Sequence, residues 1–188
     1  MFSINTGRRM ITSAGMALGF VTVLFTGAVA LAGPASAATV TAQLDSGRIL
    51  VNGSSAADGI TIRLNTAGTV ATISNSLGSV AAGPGCTQSI GEVKCPTGGI
   101  DRIDVFAGDG RDSITNETNL PSTLSGDNGI DNVNGGSSAD NLFGGFGDDK
   151  LNGRGGNDRL IGSIGSDTLD GGADTDRCDG EAETNCEL

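Results

Sequence analysis

Histidine, tryptophan and tyrosine are absent from this 188-residue sequence, and only six residues are phenylalanine. Without histidine, the chain cannot build a His-ligated zinc site or the Ser-His and Cys-His pairs that activate nucleophiles. Only Phe106, Phe143 and Phe146 follow residue 37, so an aromatic cleft for sugars or single-stranded nucleic acid is not expected. These absences argue against an enzyme.

Positive charge is also scarce, with 11 lysines and arginines against 22 aspartates and glutamates and a net charge of −11. Proteins bind nucleic acid largely by neutralising its phosphates, so nucleic acid is not an expected partner. No P-loop or G-x-S-x-G motif occurs. An EF-hand starting at Asp148 fails because Lys150 holds a ligand position and no glutamate closes the loop.

The first 37 residues have the layout of a secretory signal peptide. Arg8 and Arg9 precede an apolar run over 10–32, and Ala35 and Ala37 form a small-residue cleavage pattern. An uncleaved membrane anchor is the alternative, because the run approaches the length of a span. We expect cleavage after Ala37 and a secreted, extracellular chain with no membrane attachment.

All four cysteines lie in the part that would be exported, where disulfides persist. Four cysteines allow three pairings. We favour the two local ones, Cys86 with Cys95 and Cys178 with Cys186, which close short loops worth about 2–3 kcal/mol each. Free thiols or a shared metal are the alternative, and they fit an oxidising compartment less well.

A nine-residue period runs from 126 to 179 and reads GDNGIDNVN, GGSSADNLF, GGFGDDKLN, GRGGNDRLI, GSIGSDTLD and GGADTDRCD. The sixth position is always aspartate: Asp131, Asp140, Asp149, Asp158, Asp167 and Asp176. The eighth position is apolar: Val133, Leu142, Leu151, Leu160, Leu169 and Cys178. A flexible glycine-rich linker would not keep this phase, so the period predicts a repeat architecture.

The period weakens towards the N-terminus. Residues 107–115 are a further copy with Asp112 in the sixth position. Residues 116–125 look like one more coil of the solenoid, with one inserted residue and no aspartate. Alternating patterns farther upstream, ITIRLN, TVATIS and IDRIDVF, are typical of strands. We expect residues 38–106 to be a degenerate part of one solenoid, or alternatively a small β cap, and residues 180–188 to be a stapled C-terminal cap.

The repeat predicts an all-β fold, a right-handed parallel β-roll. Strand side chains alternate, so the apolar eighth position points into a thin core between two sheets. Glycines at the first and fourth positions are expected to supply the positive φ of the turns. Two nonapeptides then complete one turn, which places Asp131, Asp149 and Asp167 on one edge and Asp140, Asp158 and Asp176 on the other.

Aspartates stacked at a strand spacing of roughly 4.8 Å repel one another, and no lysine or arginine recurs in phase with them. Carboxylates and glycine-loop carbonyls form an all-oxygen site, which suits calcium better than magnesium. Aspartate beside glycine is also an ordinary turn pair, and solenoids carry aspartate ladders without metal. The strict phase favours calcium.

These rows resemble the repeats-in-toxin (RTX) family, whose nonapeptide G-G-x-G-x-D-x-U-x is matched at every position by GGFGDDKLN. The resemblance covers 107–179 most strongly and implies a β-roll that holds calcium in its turns. It implies ligands at Asp131, Asp140, Asp149, Asp158, Asp167, Asp176 and Asp112, together with backbone carbonyls. No catalytic domain of the kind found in family toxins, proteases and lipases fits here.

Other functions fit the pattern less well. Carboxylate pairs could support glycoside hydrolysis, but every well-spaced pair belongs to the repeat. The outward strand positions show no regular array of one small residue, as an ice-binding face would need. We therefore expect a monomeric, non-catalytic calcium-binding module that folds on binding the ion, or alternatively a calcium-stiffened scaffold for a protein or polysaccharide partner.

Overall fold

The computed structural model describes residues 39–187. The predicted signal peptide, residues 1–37, lies outside the described residues. The described range is all-β, with seventeen strands in two sheets. No helix long and apolar enough to cross a membrane occurs between residues 39 and 187.

The strands are short and follow one another closely along the chain. In order they are β1 (Thr39–Asp45), β2 (Arg48–Ser54), β3 (Gly59–Leu64), β4 (Val70–Asn75), β5 (Ser79–Ala82), β6 (Thr87–Ser89), β7 (Glu92–Pro96), β8 (Arg102–Gly110), β9 (Ser113–Glu117), β10 (Ser122–Gly129), β11 (Asn132–Asn134), β12 (Asn141–Phe146), β13 (Lys150–Asn152), β14 (Arg159–Ile164), β15 (Thr168–Asp170), β16 (Arg177–Asp179) and β17 (Ala182–Thr184).

From β8 onwards, successive strands alternate between the two sheets. One sheet has the order β16-β14-β12-β10-β8-β2-β1-β5, and the other has the order β17-β15-β13-β11-β9-β3-β4-β7-β6. All pairings from β8 to β17 are parallel. The predicted parallel β-roll is therefore confirmed for the repeats.

The register confirms two nonapeptides per turn. Asn141 pairs with Arg159 in one sheet and Asn132 pairs with Lys150 in the other, each eighteen positions apart. Between β9 and β11 the separation is one larger, because Ser113 pairs with Asn132. The coil over 116–125 therefore contains the one inserted residue that the sequence predicted.

The N-terminal part differs from the repeats because it contains antiparallel pairs. Strand β1 pairs with β2, β3 with β4, and β7 with both β4 and β6, all antiparallel. Strands β2 and β3 then pair in parallel with β8 and β9, so both sheets continue into the roll without a break. The predicted strand patterns over 60–65, 69–74 and 100–106 correspond to β3, β4 and β8.

The inward faces of the two sheets form a narrow apolar core. In the repeats the buried residues are those of the eighth position, 0–2 % exposed from Val133 to Leu169, while Cys178 at the end is partly buried. Each buried leucine contributes about 1.5–3 kcal/mol relative to an exposed one. The predicted apolar stack is confirmed.

Both local disulfides form. Cys86 is bonded to Cys95 beside the β6–β7 hairpin, and Cys178 in β16 is bonded to Cys186 near the C-terminus. The described residues contain no free cysteine. The staples thus lie at the two ends of the roll rather than within it.

Positive φ angles occur at the second and fourth positions of the repeats. The fourth-position residues are Gly129, Gly147, Gly156, Gly165 and Asp174, and the second-position residues are Asp127, Gly145, Arg154, Ser163 and Gly172. The prediction for the fourth position is confirmed, but the prediction for the first position is wrong. First-position glycines have no positive φ, and a different constraint, lack of space for a side chain, applies to them.

Candidate metal centre

Every aspartate predicted as a ligand is buried, with 1–3 % of its surface exposed. The six aspartates from Asp131 to Asp176 each immediately precede a strand, and that strand carries the buried eighth-position residue two positions later. Because side chains alternate along extended chain, the sixth and eighth positions share the inward side. The period therefore brings the carboxylates inside, at the edges of the apolar core.

Hydrogen bonds join the aspartates into two ladders. We define the first ladder as Asp112, Asp131, Asp149 and Asp167, and the second ladder as Asp140, Asp158 and Asp176. Along each ladder the backbone N–H of one aspartate donates to Oδ1 of the next, over 2.7–2.9 Å. The predicted division between two edges is confirmed, and Asp112 belongs to the first.

The second carboxylate oxygen is left without a partner. Within the described residues, Oδ2 of the following aspartates is buried and accepts no hydrogen bond: Asp112, Asp131, Asp149, Asp158, Asp167 and Asp176. A buried charged oxygen without a partner costs several kcal/mol, because it has lost its hydration and gained nothing in return. Six such atoms recur in phase, and each is a position that a cation or a proton can neutralise.

The first-position glycines show where backbone oxygens join these carboxylates. A Cβ built on Gly144 would lie 2.5 Å from Oδ2 of Asp149 and 2.7 Å from the carbonyl oxygen of Gly162, one turn away. The same pair of oxygens, carboxylate and carbonyl, recurs beside Gly126, Gly135, Gly153 and Gly171, whereas a Cβ on Gly162 would meet Asp167 first. The small space beside five of the six first-position glycines is therefore bordered by oxygen atoms from two successive turns.

Backbone carbonyls are essential to such a site. Residues 39–187 contain no group of three or more His, Cys, Asp or Glu side chains that converge on one metal position. A site here must combine carboxylates with carbonyls, which is the oxygen-only chemistry that calcium accepts. The residues present therefore fit calcium.

Asp140 differs from the other six. Its Oδ2 accepts the N–H of Gly136 over 2.6 Å and its Oδ1 accepts the hydroxyl of Ser122 over 2.7 Å. Gly136 and Ser138 also lack the positive φ that their positions show in other repeats. Because both of its oxygens are satisfied by the protein, Asp140 does not show the unpartnered oxygen of its neighbours.

Burial shifts the ladder towards the protonated form. Loss of hydration raises the pKa of Asp131 and Asp158 to about 7 and that of Asp112 to about 6, against the stabilising backbone hydrogen bond that each accepts. The charges of neighbouring aspartates raise these pKa values further. Burial likewise raises the pKa of Asp140, Asp149 and Asp176.

Residues outside the nonapeptides of 107–179 end the ladders. At the N-terminal end, the N–H of Asp58 donates to Asp112, and both oxygens of Asp58 are satisfied by Asn75 and Ser54. At the C-terminal end, glutamates 181 and 187 accept the last backbone N–H groups. Both glutamates lie out of phase with the repeat, so periodicity could not identify them.

Replacing Gly144 with alanine tests the oxygen-lined space. We expect Gly144→Ala to weaken calcium binding and to lower stability by about 1–3 kcal/mol, because the new methyl group meets a backbone oxygen that cannot move aside. Calcium titration calorimetry and thermal unfolding measure the two effects. Gly155→Ala is the matched control, since its Cβ would meet nothing within 4 Å. Equal effects of both variants would contradict the assignment.

The raised pKa values predict a pH dependence for the calcium-free protein. Between about pH 4 and pH 7 the folded chain binds more protons than the unfolded chain, so the free energy of unfolding falls as the pH rises. In chelator, far-ultraviolet circular dichroism should therefore show a larger folded fraction at pH 5.5 than at pH 7.5. With calcium the gain in stability should be larger at pH 7.5, because protons compete with the ion. A calcium-free stability that increases with pH would contradict this.

Comparison with known families agrees with the geometry. Residues 125–160 and 152–185 match the family model for the RTX calcium-binding nonapeptide repeat, which comprises four copies. No curated protein and no solved structure gives a significant match to the chain. The matched residues contain most of both ladders, and RTX nonapeptide repeats bind calcium. Residues 125–185 thus match RTX calcium-binding nonapeptide repeats and fold as a parallel β-roll.

Proposed function

We propose that the protein is a secreted, non-catalytic calcium-binding module that folds on binding the ion. The observation that carries this proposal is the row of six buried Oδ2 atoms without hydrogen-bond partners. In the proposal, residues 107–179 hold the calcium, and residues 38–106 and 180–188 cover the two ends of the roll. The mature chain acts as a monomer.

The proposed ligands are the ladder aspartates and the carbonyls that face them. Asp149 supplies its unpartnered Oδ2, and the carbonyl oxygen of Gly162 faces the same space beside Gly144. Bound calcium supplies positive charge between turns. Oδ1 of each aspartate meanwhile stays hydrogen bonded to the turn before it, which orients the carboxylate towards the ion.

Coupling between folding and calcium follows from linkage. Sites made from successive turns do not exist in the unfolded chain, so an ion that binds them stabilises only the folded state. Without the ion, the folded state must bury carboxylates that repel one another. Extracellular calcium modules work at roughly 10⁻⁴–10⁻³ M, which suits a chain that stays loose at low calcium inside the cell and closes outside.

The absence of catalysis rests on the role of each carboxylate. Apart from Asp58 and Asp104, the buried aspartates form the ladders, and the sequence has no histidine to act as a general base. Arg48 forms ion pairs with Asp45 and Asp104, and Arg102 forms a further one with Asp104, so two arginines balance these two carboxylates.

One observation favours the alternative, a calcium-stiffened scaffold for a protein or polysaccharide partner. Phe146 and Ile164 pair in register on neighbouring strands β12 and β14, and their side chains are 59 % and 62 % exposed. Adjacent exposed apolar side chains are a feature of interaction surfaces. A partner that binds only in calcium would distinguish the scaffold from a simple calcium-binding protein.

The first test is far-ultraviolet circular dichroism of the purified protein in chelator, titrated with calcium and separately with magnesium. We expect a coil-to-β transition with calcium and little change with magnesium, which holds its water more firmly. A β spectrum that chelator does not alter would contradict calcium-driven folding, because the disulfides and the leucine stack would then be sufficient.

Asp149→Ala tests the ligand assignment, because Asp149 has ladder neighbours on both sides. We expect fewer bound calcium ions and a lower melting temperature in calcium. Asp148→Ala is the matched control: it removes the same charge one residue earlier, from an exposed side chain. If both variants melt and bind calcium alike, Asp149 is not a ligand.

A further inference from the structure

The C-terminal segment 180–187 continues the roll by a further turn, although its sequence is not a nonapeptide repeat. Strand β17 pairs in parallel with β15, as a further repeat would. The N–H of Gly171 donates to the carbonyl of Thr184 over 3.0 Å, just as that of Gly153 donates to Asp170 one turn earlier. The segment therefore continues both the hydrogen bonds and the sheet beyond the last nonapeptide.

Glu187 supplies its carboxylate to the end of the second ladder. The carboxylate accepts the N–H of Asp176 over 2.5 Å, and the N–H of Glu187 donates to the carbonyl of Asp176 over 2.7 Å. In the ladder proper, the N–H of Asp158 donates in the same way to Asp176, and the N–H of Arg177, the residue after it, donates to the carbonyl of Asp158. The backbone of Glu187 therefore corresponds to that of Arg177, one residue after the ladder position, and its side chain reaches back to the acceptor place.

Glu181 holds the matching position on the first ladder. Its carboxylate accepts the N–H of Asp167 over 3.0 Å, and the following residue, Ala182, donates its N–H to the carbonyl of Asp167. Lys150 makes the same donation to Asp131 after Asp149. Each ladder thus ends with a glutamate carboxylate as its last acceptor: Glu181 lies in the ladder position itself, and Glu187 lies one residue after it.

A backbone carbonyl also lies beside the last first-position glycine, as it does in the repeats. A Cβ on Gly171 would lie 2.7 Å from Oδ2 of Asp176 and would also collide with the carbonyl oxygen of Asn185. Asn185 occupies the place that Gly162 holds beside Gly144. Oδ2 of Asp176 is unpartnered, and the side chain is only 1 % exposed. A buried carboxylate oxygen, a carbonyl and a second carboxylate therefore meet at the end of the second ladder.

We propose that Glu187 and Glu181 are calcium ligands that complete one terminal site on each ladder. The proposal rests on the ladder function proposed above and adds two ligands outside the nonapeptides. Oε2 of each glutamate accepts a backbone N–H, so Oε1 is free to coordinate the ion. The Cys178–Cys186 disulfide encloses Glu181 and adjoins Glu187, and so holds both terminal ligands against the last turn.

Glu187→Gln tests this proposal against a purely structural cap. The amide oxygen of glutamine can still accept the N–H of Asp176, but the negative charge and the second oxygen are lost. We expect titration calorimetry of the purified protein with calcium to show one site weakened by about tenfold or more. The far-ultraviolet spectrum in chelator should match that of the wild type. Glu181→Gln should weaken a different site, and the double variant should weaken both.

Glu183→Gln is the matched control, because Glu183 lies in the same segment and accepts an N–H from Gly180 without touching either ladder. It should bind calcium like the wild type. If Glu187→Gln also binds like the wild type, or melts at a lower temperature in saturating calcium with unchanged calcium affinity and stoichiometry, the glutamates are caps and not ligands. If the wild type itself takes up no calcium, the proposed function of the ladders fails, and this proposal fails with it.

Discussion

Mutual repulsion of buried carboxylates, held one strand spacing apart, is the constraint on which the rest of this structure depends. Each ladder aspartate except Asp140 satisfies one oxygen with a backbone N–H from the preceding turn and leaves the other without a partner. At a partly buried site this repulsion is several-fold stronger than in water. Glycine at the first position leaves space beside Oδ2, and a carbonyl from the next turn borders the same space. An oxygen-seeking cation resolves a conflict that the chain alone cannot.

The apolar core is too thin to remove that dependence. Each turn contributes only two inward-facing apolar residues, for example Leu142 and Leu151, and no aromatic ring is buried among them. Small cores of this kind need metal ions or disulfides as additional links. The links are divided by position: the proposed calcium ligands recur within the roll, whereas Cys86–Cys95 and Cys178–Cys186 lie towards its two ends.

The two edges of the roll are alike in sequence but unequal in chemistry. The first ladder has four unpartnered Oδ2 atoms, whereas the second has two, because Gly136 donates its N–H to Asp140. Calcium held along the first edge would therefore join more turns than calcium held along the second. The inserted residue over 116–125 places Ser122 where an aspartate would begin the second ladder, and its hydroxyl bonds to Asp140 instead.

The sequence by itself determined the features that repeat. A strict period of nine predicts which residues point inward, that two repeats form a turn, and that the aspartates divide into two edges, because strand geometry alternates with period two. Only the tertiary structure decided the features that break the period. Gly136 has no positive φ and donates its N–H to Asp140. The N-terminal strands pair as hairpins. Glu181 and Glu187 accept hydrogen bonds at the ladder ends, although their sequence positions do not fit the period. These features depend on contacts between residues that occupy different positions of the repeat, and a nine-residue period gives no information about such contacts.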